Sequence, residues 1–460
     1  MQSLDQTSPT EPLSVAFIHP DLGIGGAERL IVDAAAGLRK KGHHVRIYTS
    51  HHDPRHCFEE TRDGTLDVQV LGDWMPRTVA GKGYIVFAIL RNLWLSVLLL
   101  LSHNQFHQPY DVIVVDQLSI SIPLLRWTGS KILFYCHFPD KLLTKRESAL
   151  KRLYRMPVDY LEELTTRMSD EILVNSKFTR QVFKDSFRSI QRVPKVLYPS
   201  IHLESYDKQV DETDPSVAML KSPKKTFVSI NRFERKKNVG LAIRAFAQLA
   251  ERYASDFANL RLVVAGGYDK RSIENREHHL ELDRLAQELG LSTATVFPGE
   301  VQDVGDAQVL FLLSFNEAQR TFLLASSFGL LYTPSNEHFG IVPVEAMYGR
   351  LPVVAVNNGG PTESILHEKT GFLCESDPAA FATAMVQILR GQPLSRDVLG
   401  QQGRAHAQAR FSLDTFVNQL EGYVVELKTA TNSEALWTSA SFWVLMLLCL
   451  AVPGYFLGRR

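Results

Sequence analysis

Short apolar runs alternate with helix-period stretches along most of the chain, the pattern of a parallel sheet whose strands are joined by crossover helices. A first set of runs comprises SVAFIHP (Ser14 to Pro20), HVRIYTS (His44 to Ser50), DVIVVD (Asp111 to Asp116), KILFYCH (Lys131 to His137) and EILVNS (Glu171 to Ser176). A second comprises TFVSIN (Thr226 to Asn231), LRLVVAGG (Leu260 to Gly267), ATVFPG (Ala294 to Gly299), FGLLYTPS (Phe328 to Ser335) and LPVVAVN (Leu351 to Asn357). Between the sets, Tyr206 to Lys225 is polar and carries Pro215 and Pro223, which marks a linker. The pattern predicts an α/β protein of two Rossmann-like, doubly wound domains, residues 1–205 and 206–394, facing one another across a cleft. Ligands then belong outside the carboxyl ends of the strands.

Two further apolar stretches break this rhythm. Ala435 to Gly458 contains no charged residue, and its central run FWVLMLLCLAV helps make it long enough to cross a hydrocarbon core of about 30 Å, so it reads as a C-terminal membrane helix. Tyr84 to Leu101 is nearly as apolar but carries Arg91 and Asn92 at its centre. A spanning helix pays heavily for that arginine, which favours an interfacial or re-entrant helix over a crossing one; a buried helix of the first domain is the other reading. MQSLDQTSPTEP at the start has neither a basic nor an apolar region of a signal peptide.

Composition adds exclusions. With 50 basic and 50 acidic side chains the formal charge is zero, which argues against nucleic acid as a partner. Cys57, Cys136, Cys374 and Cys449 form no CxxC pair, so neither a disulfide framework nor a zinc ribbon is indicated, and a reducing compartment follows. His51, His52, His56 and Cys57 match no familiar metal spacing and read as a solvated loop.

The post-strand loops carry the candidate chemistry. After the first strand, Gly23, Gly25 and Gly26 precede a helix, where backbone amides can approach a phosphate. The dinucleotide fingerprint fails, because Glu28 occupies its third glycine, and the loop alone is equally a turn without a ligand. His137 follows a strand and faces the cleft. Arg232, Arg235, Lys236 and Lys237 crowd the start of a helix, against the usual preference for acids there, and call for a compensating anion such as a diphosphate. Glu337 lies in a post-strand loop, and Glu345 falls about one turn beyond Pro343 on the next helix. Gly359-Gly360-Pro361 forms a second glycine loop. Two acids at this spacing serve acid/base chemistry or accept from sugar and ribose hydroxyls.

Taken in order, these motifs resemble the retaining glycosyltransferases of the GT-B fold, family 4, whose E-x7-E pair corresponds to Glu337 and Glu345. The resemblance covers roughly Ser14 to Lys428. It implies an acceptor-binding first domain, a nucleotide-sugar-binding second domain, and helices over 395–428 that cross back to the first. It assigns Arg232 and Lys237 to the donor diphosphate, Glu345 to the ribose, and Glu337 and His137 to the transferred sugar. Gly25, Gly26, Gly266, Val301, Phe339, Gly340, Ile341, Gly359 and Gly360 complete the donor site. Within the family, VNSKFT (Val174 to Thr179), NRFERKKN (Asn231 to Asn238) and EHFGIVPVEAM (Glu337 to Met347) are most similar to the eukaryotic mannosyltransferases that add α1,3- and α1,6-mannose to the dolichol diphosphate-linked oligosaccharide of N-glycan synthesis. GDP-mannose as donor, an endoplasmic reticulum membrane with the catalytic domains toward the cytosol, and room for a complex with other early-pathway glycosyltransferases are what that similarity implies. No Asp-x-Asp occurs in the chain, so no metal or other cofactor is expected. A transferase acting on another lipid or sugar acceptor would share every motif, and a membrane scaffold without catalysis is the alternative outside enzymes.

Overall fold

The computed structural model describes residues 11–78, 84–106, 110–143 and 149–430. The apolar segment Ala435 to Gly458 lies outside the described residues. Two compact units result: the chain up to Tyr198 together with the part from Phe416 onward, and Pro199–Thr415.

In the first unit, β1 (Ser14–His19), β2 (His44–Thr49), β3 (Asp67–Val70), β4 (Val112–Asp116), β5 (Lys131–Cys136), β6 (Glu171–Val174) and β7 (Lys195–Val196) form one parallel sheet in the order β3-β2-β1-β4-β5-β6-β7. Val15 of β1 sits between Val45 of β2 and Val112 of β4. Helices cover both faces of such a sheet, which is why its central strands are apolar at almost every position rather than at alternate ones. The Gly26–Lys40 helix turns Leu30, Ile31, Ala34, Ala35 and Leu38 inward, a stripe at helical spacing.

The Tyr84–Phe106 helix belongs to this core. Ile89, Leu93, Leu95 and Leu99 pack among Ile113, Val115 and Phe134. Arg91, 2% exposed, donates from Nη2 to Asp21 Oδ1 at 2.8 Å, so its charge is met inside the protein. By length and composition, Tyr84–Leu101 is the one helix among the described residues able to cross a membrane, yet nearly half of it is buried in the unit.

The second unit repeats the plan. Here β8 (Lys225–Ile230), β9 (Leu260–Gly266), β10 (Thr293–Val296), β11 (Val309–Leu313), β12 (Gly329–Tyr332), β13 (Val353–Val356) and β14 (Gly371–Cys374) form a parallel sheet in the order β10-β11-β9-β8-β12-β13-β14. Phe227, Phe233, Phe246, Phe311, Phe372 and Phe381 fill its core.

Two boundaries differ from those read in the sequence. Tyr206 to Lys225 is part of the second unit rather than a linker, because Val217 and Leu220 are fully buried and Ser216 is bonded by Asn316 and Gln319; the boundary falls at Tyr198/Pro199. Of the helices expected to cross back, Arg396–Phe411 packs on Ile341–Tyr348 within the second unit. Only Leu413–Thr429 returns, and its Glu421 pairs with Lys41 and His43.

That return rests on a close approach. A Cβ at Gly37 would lie 2.1 Å from Val417 Cγ2, far inside van der Waals contact. Gly37→Ala is therefore expected to destabilise the first unit by about 1–3 kcal/mol, the usual scale of overpacking. Adding Val417→Ala should recover most of it, measured by urea denaturation; two losses that simply add would show that the contact does not limit packing.

Candidate active site

In an open parallel sheet the crevice for ligands forms where strand order reverses, since the loops after the two neighbouring strands leave in opposite directions. Those points lie between β1 and β4 in the first unit and between β8 and β12 in the second.

At the first, Gly25 caps the Gly26–Lys40 helix in an extended conformation, and the helix's leading N–H groups lack helical partners. The loop is held from behind: Asp21 accepts from Arg91 through Oδ1 and from Arg77 through Oδ2, each at 2.8 Å. On the other side, Asp116 ends β4 and is completely buried. His19 Nδ1 meets its Oδ2 at 2.8 Å. His137 Nε2 lies 2.8 Å from Oδ1, a charge contact whose alignment falls short of a hydrogen bond. Burial pushes the Asp116 carboxyl up, but His137 and His19 outweigh burial and hold it down at about 2. The turn after His137 is fastened by Glu162, which accepts from the Asp140 and Lys141 amides at 2.6 and 3.0 Å. Burial drives the Glu162 carboxyl up to about 7.

At the second, the turn after β8 brings Lys237 Nζ to 2.6 Å from Glu337 Oε2, in the loop after β12. Thr333 Oγ1 donates to the Lys237 carbonyl at 2.7 Å, which ties the two loops together. Gly359 and Gly360 close on the same loop. The Gly360 amide donates to the Glu337 carbonyl at 2.8 Å, and a Cβ at Gly360 would stand 2.2 Å from the Phe339 carbonyl oxygen. The second glycine loop is thus glycine because another backbone lies against it. Gly340 and Ile341 start the Ile341–Tyr348 helix, and Phe339 is buried against Phe411.

Not every expected residue joins this cluster. Arg232 is two-thirds exposed and paired with Glu234 at 3.2 Å. Gly266 ends β9 beside Asn231, whereas Val301 is exposed in the loop beyond β10. Glu345 is 6% exposed and pairs with Arg320 rather than with a cation of the turn. His51 meets Asp73 and His52 meets Thr61; among the described residues no three His, Cys, Asp or Glu side chains converge to hold a metal.

Sequence reading missed His19, Asp116, Glu162 and Arg320. The only signal for the first two was their place at strand carboxyl ends; Glu162 sits mid-helix and Arg320 in the first turn of its helix, neither with a local cue.

The Asp116 contacts set a pH dependence. The carboxyl drops from an ordinary 3.8 to about 2 on folding, so its stabilisation is fully present above pH 3.8 and is lost as pH falls toward 2. At about 1.4 kcal/mol per unit this is worth on the order of 2 kcal/mol. The stability gap between the wild-type chain and Asp116→Asn should therefore narrow as pH falls from about 4 toward 2 in urea denaturation; a constant gap would contradict it.

Comparison with known proteins places these features in a family. Residues 24–205 match the model described as glycosyltransferase family 4, and residues 210–406 match that of glycosyl transferases group 1. The chain is 56% identical over 433 residues to the alpha-1,3/1,6-mannosyltransferase ALG2 of Rhizomucor pusillus, covering 93% of this chain and 94% of the relative. It is 48% identical to ALG2 of Homo sapiens, covering 93% and 99%. Among solved structures, sucrose-phosphate synthase of Thermosynechococcus elongatus superposes with a TM-score of 0.66 at 20% identity, covering 91% of this chain and 99% of the other. A glycosyltransferase of Rickettsia africae gives 0.68 at 15% identity, covering 92% and 100%. The fold is GT-B, and the chain belongs to the ALG2 family of alpha-1,3/1,6-mannosyltransferases.

Proposed function

We propose that the protein is a retaining alpha-1,3/1,6-mannosyltransferase of N-glycan precursor synthesis, which moves mannose from GDP-mannose to a dolichol diphosphate-linked oligosaccharide at the cytosolic face of the endoplasmic reticulum membrane. The mannosyltransferase activity is supported by identities of 44–56% to ALG2 proteins of several eukaryotes. The donor reading rests on the Lys237–Glu337 pair at the carboxyl ends of β8 and β12. A fixed cation beside a carboxylate suits a diphosphate joined to a sugar, the cation for the phosphate oxygens and the carboxylate for a hydroxyl.

In this reading Lys237 and Arg232 stabilise the departing diphosphate while the mannosyl C1 passes through an oxocarbenium-like state, with attack on the face from which the diphosphate leaves. Glu337 and His137 position the mannose, and Glu345 accepts from the ribose. The chain has no Asp-x-Asp with which to hold a metal against the diphosphate, so the cationic side chains carry that work and no cofactor is needed.

The deciding experiment supplies purified protein with diphosphate-linked chitobiose bearing one mannose. Products one and two mannoses longer with GDP-mannose, and none with UDP-sugars, are expected. Elongation from a UDP-sugar would overturn the donor, and failure to use this acceptor would overturn the lipid substrate. Lys237→Ala should lower kcat by a factor of about 10² to 10³, the scale of losing one preorganised donor. Near-normal turnover would remove Lys237 from the chemistry.

A further inference from the structure

We propose that Arg320 is a positioning residue for donor recognition, which together with Tyr206 fixes the Glu345 carboxylate as the acceptor for the donor's ribose hydroxyls. The inference rests on the reading of Glu345 given above and identifies what makes that residue selective.

Glu345 lies on the Ile341–Tyr348 helix and is 6% exposed. A carboxylate buried to that degree requires a partner of opposite charge. The basic turn Arg235–Lys237 does not supply it: Lys237 goes to Glu337, Lys236 to Glu234, and Arg235 to Glu277 and Glu281. The partner is Arg320, whose Nη2 makes an ion pair with Glu345 Oε1.

Arg320 is held in turn. It occupies the first turn of the Glu317–Ser326 helix, whose start is locked by a reciprocal capping box between Asn316 and Gln319. Gln319 Nε2 also donates to the Ser216 carbonyl at 3.0 Å. The guanidinium donates to Tyr206 Oη at 2.7 Å and lies 5.3 Å from the centre of the Tyr206 ring. Tyr206 packs edge-on against Tyr348, one turn beyond Glu345 on the same helix, at 6.1 Å. Tyr348 Oη donates to Asp207 at 2.7 Å. Arg320 and Tyr206 thus hold the carboxylate from one side while Tyr348 and Asp207 brace Tyr206.

The Nη2 that meets Glu345 also donates to Tyr206, so a rigid, planar group fixed at two points faces the carboxylate where a flexible ammonium would not be held. With Oε1 committed to Arg320, Glu345 offers acceptor positions in a set direction and no donor. A ribose, with adjacent hydroxyls that need acceptors, matches it.

The test compares binding of GDP and 2′,3′-dideoxy-GDP to the full-length chain by calorimetry. The wild-type chain is expected to bind GDP about tenfold tighter or more, as hydrogen bonds to a charged group would give. In Arg320→Gln the ratio should fall to about two or less, with dideoxy-GDP affinity retained, because only the hydroxyl contacts depend on Arg320. A wild-type chain that does not discriminate would overturn the ribose role of Glu345, and the inference with it. Discrimination kept in Arg320→Gln would overturn the role of Arg320 alone and leave that of Glu345 standing. Should Arg320→Gln lose its cooperative melting transition, Arg320→Lys keeps the charge without the fork. It is expected to lower the ratio severalfold, and an unchanged ratio there would equally overturn the proposal.

Discussion

The Lys237–Glu337 ion pair is the contact that joins the loops after β8 and β12, on which the proposed donor site depends. Its members stand 100 residues apart in the chain and meet because β8 and β12 are neighbours at the point where strand order reverses. Everything around the pair serves to hold the two loops together: Thr333 on the Lys237 carbonyl, the Gly360 amide on the Glu337 carbonyl, and a glycine loop that lies on the Glu337 backbone. Both side chains are mostly buried, so the pair is less screened than a surface ion pair. Removing one partner would leave the other charge partly desolvated and unmatched. A diphosphate has the charge to replace Glu337 at the lysine, which in the proposed reaction releases the carboxylate to the sugar.

The strands named from the sequence all form, because runs buried on both sheet faces are apolar throughout. β3, β7 and β14 were not legible: β3 and β14 are short edge strands, β3 with half of its residues exposed, and β7 has two residues. β11 is apolar and is bounded by Asp306 and Gln308 before it and by Ser314, Asn316 and Glu317 after it, so the same pattern marks it as a strand although it was not among those named. Among site residues, the basic turn and the E-x7-E pair were legible because their local charge pattern is unusual. Asp116 was not. One carboxylate at the end of an apolar strand carries no local sign that two imidazoles from β1 and the loop after β5 will converge on it.

The Tyr84–Phe106 helix shows how composition can be read in two ways. A membrane-crossing helix and a core helix have nearly the same hydropathy, and Arg91 decides between costs rather than between patterns. In a bilayer it is an unmatched charge. In this fold it is 2% exposed and bound to Asp21, the residue from which the glycine loop begins. The arginine that argued against crossing is the one that fastens this loop, so the helix's apolar character and its charge have the same origin in the packing of the first unit.

The two cations assigned to the diphosphate are not equivalent. Electrostatic catalysis works when charges already stand where new charge develops, so that no reorganisation is needed during reaction. Lys237 meets that condition, because its backbone is tied by Thr333 and its ammonium is enclosed near Glu337. Arg232 does not: it is two-thirds exposed and spends its charge on Glu234, which Lys236 also holds. A long exposed side chain must give up conformational freedom before it helps. In the proposed reaction Lys237 is therefore the group whose field acts on the leaving diphosphate, while Arg232 contributes to capturing it, and the difference follows from how tightly each is held rather than from its charge.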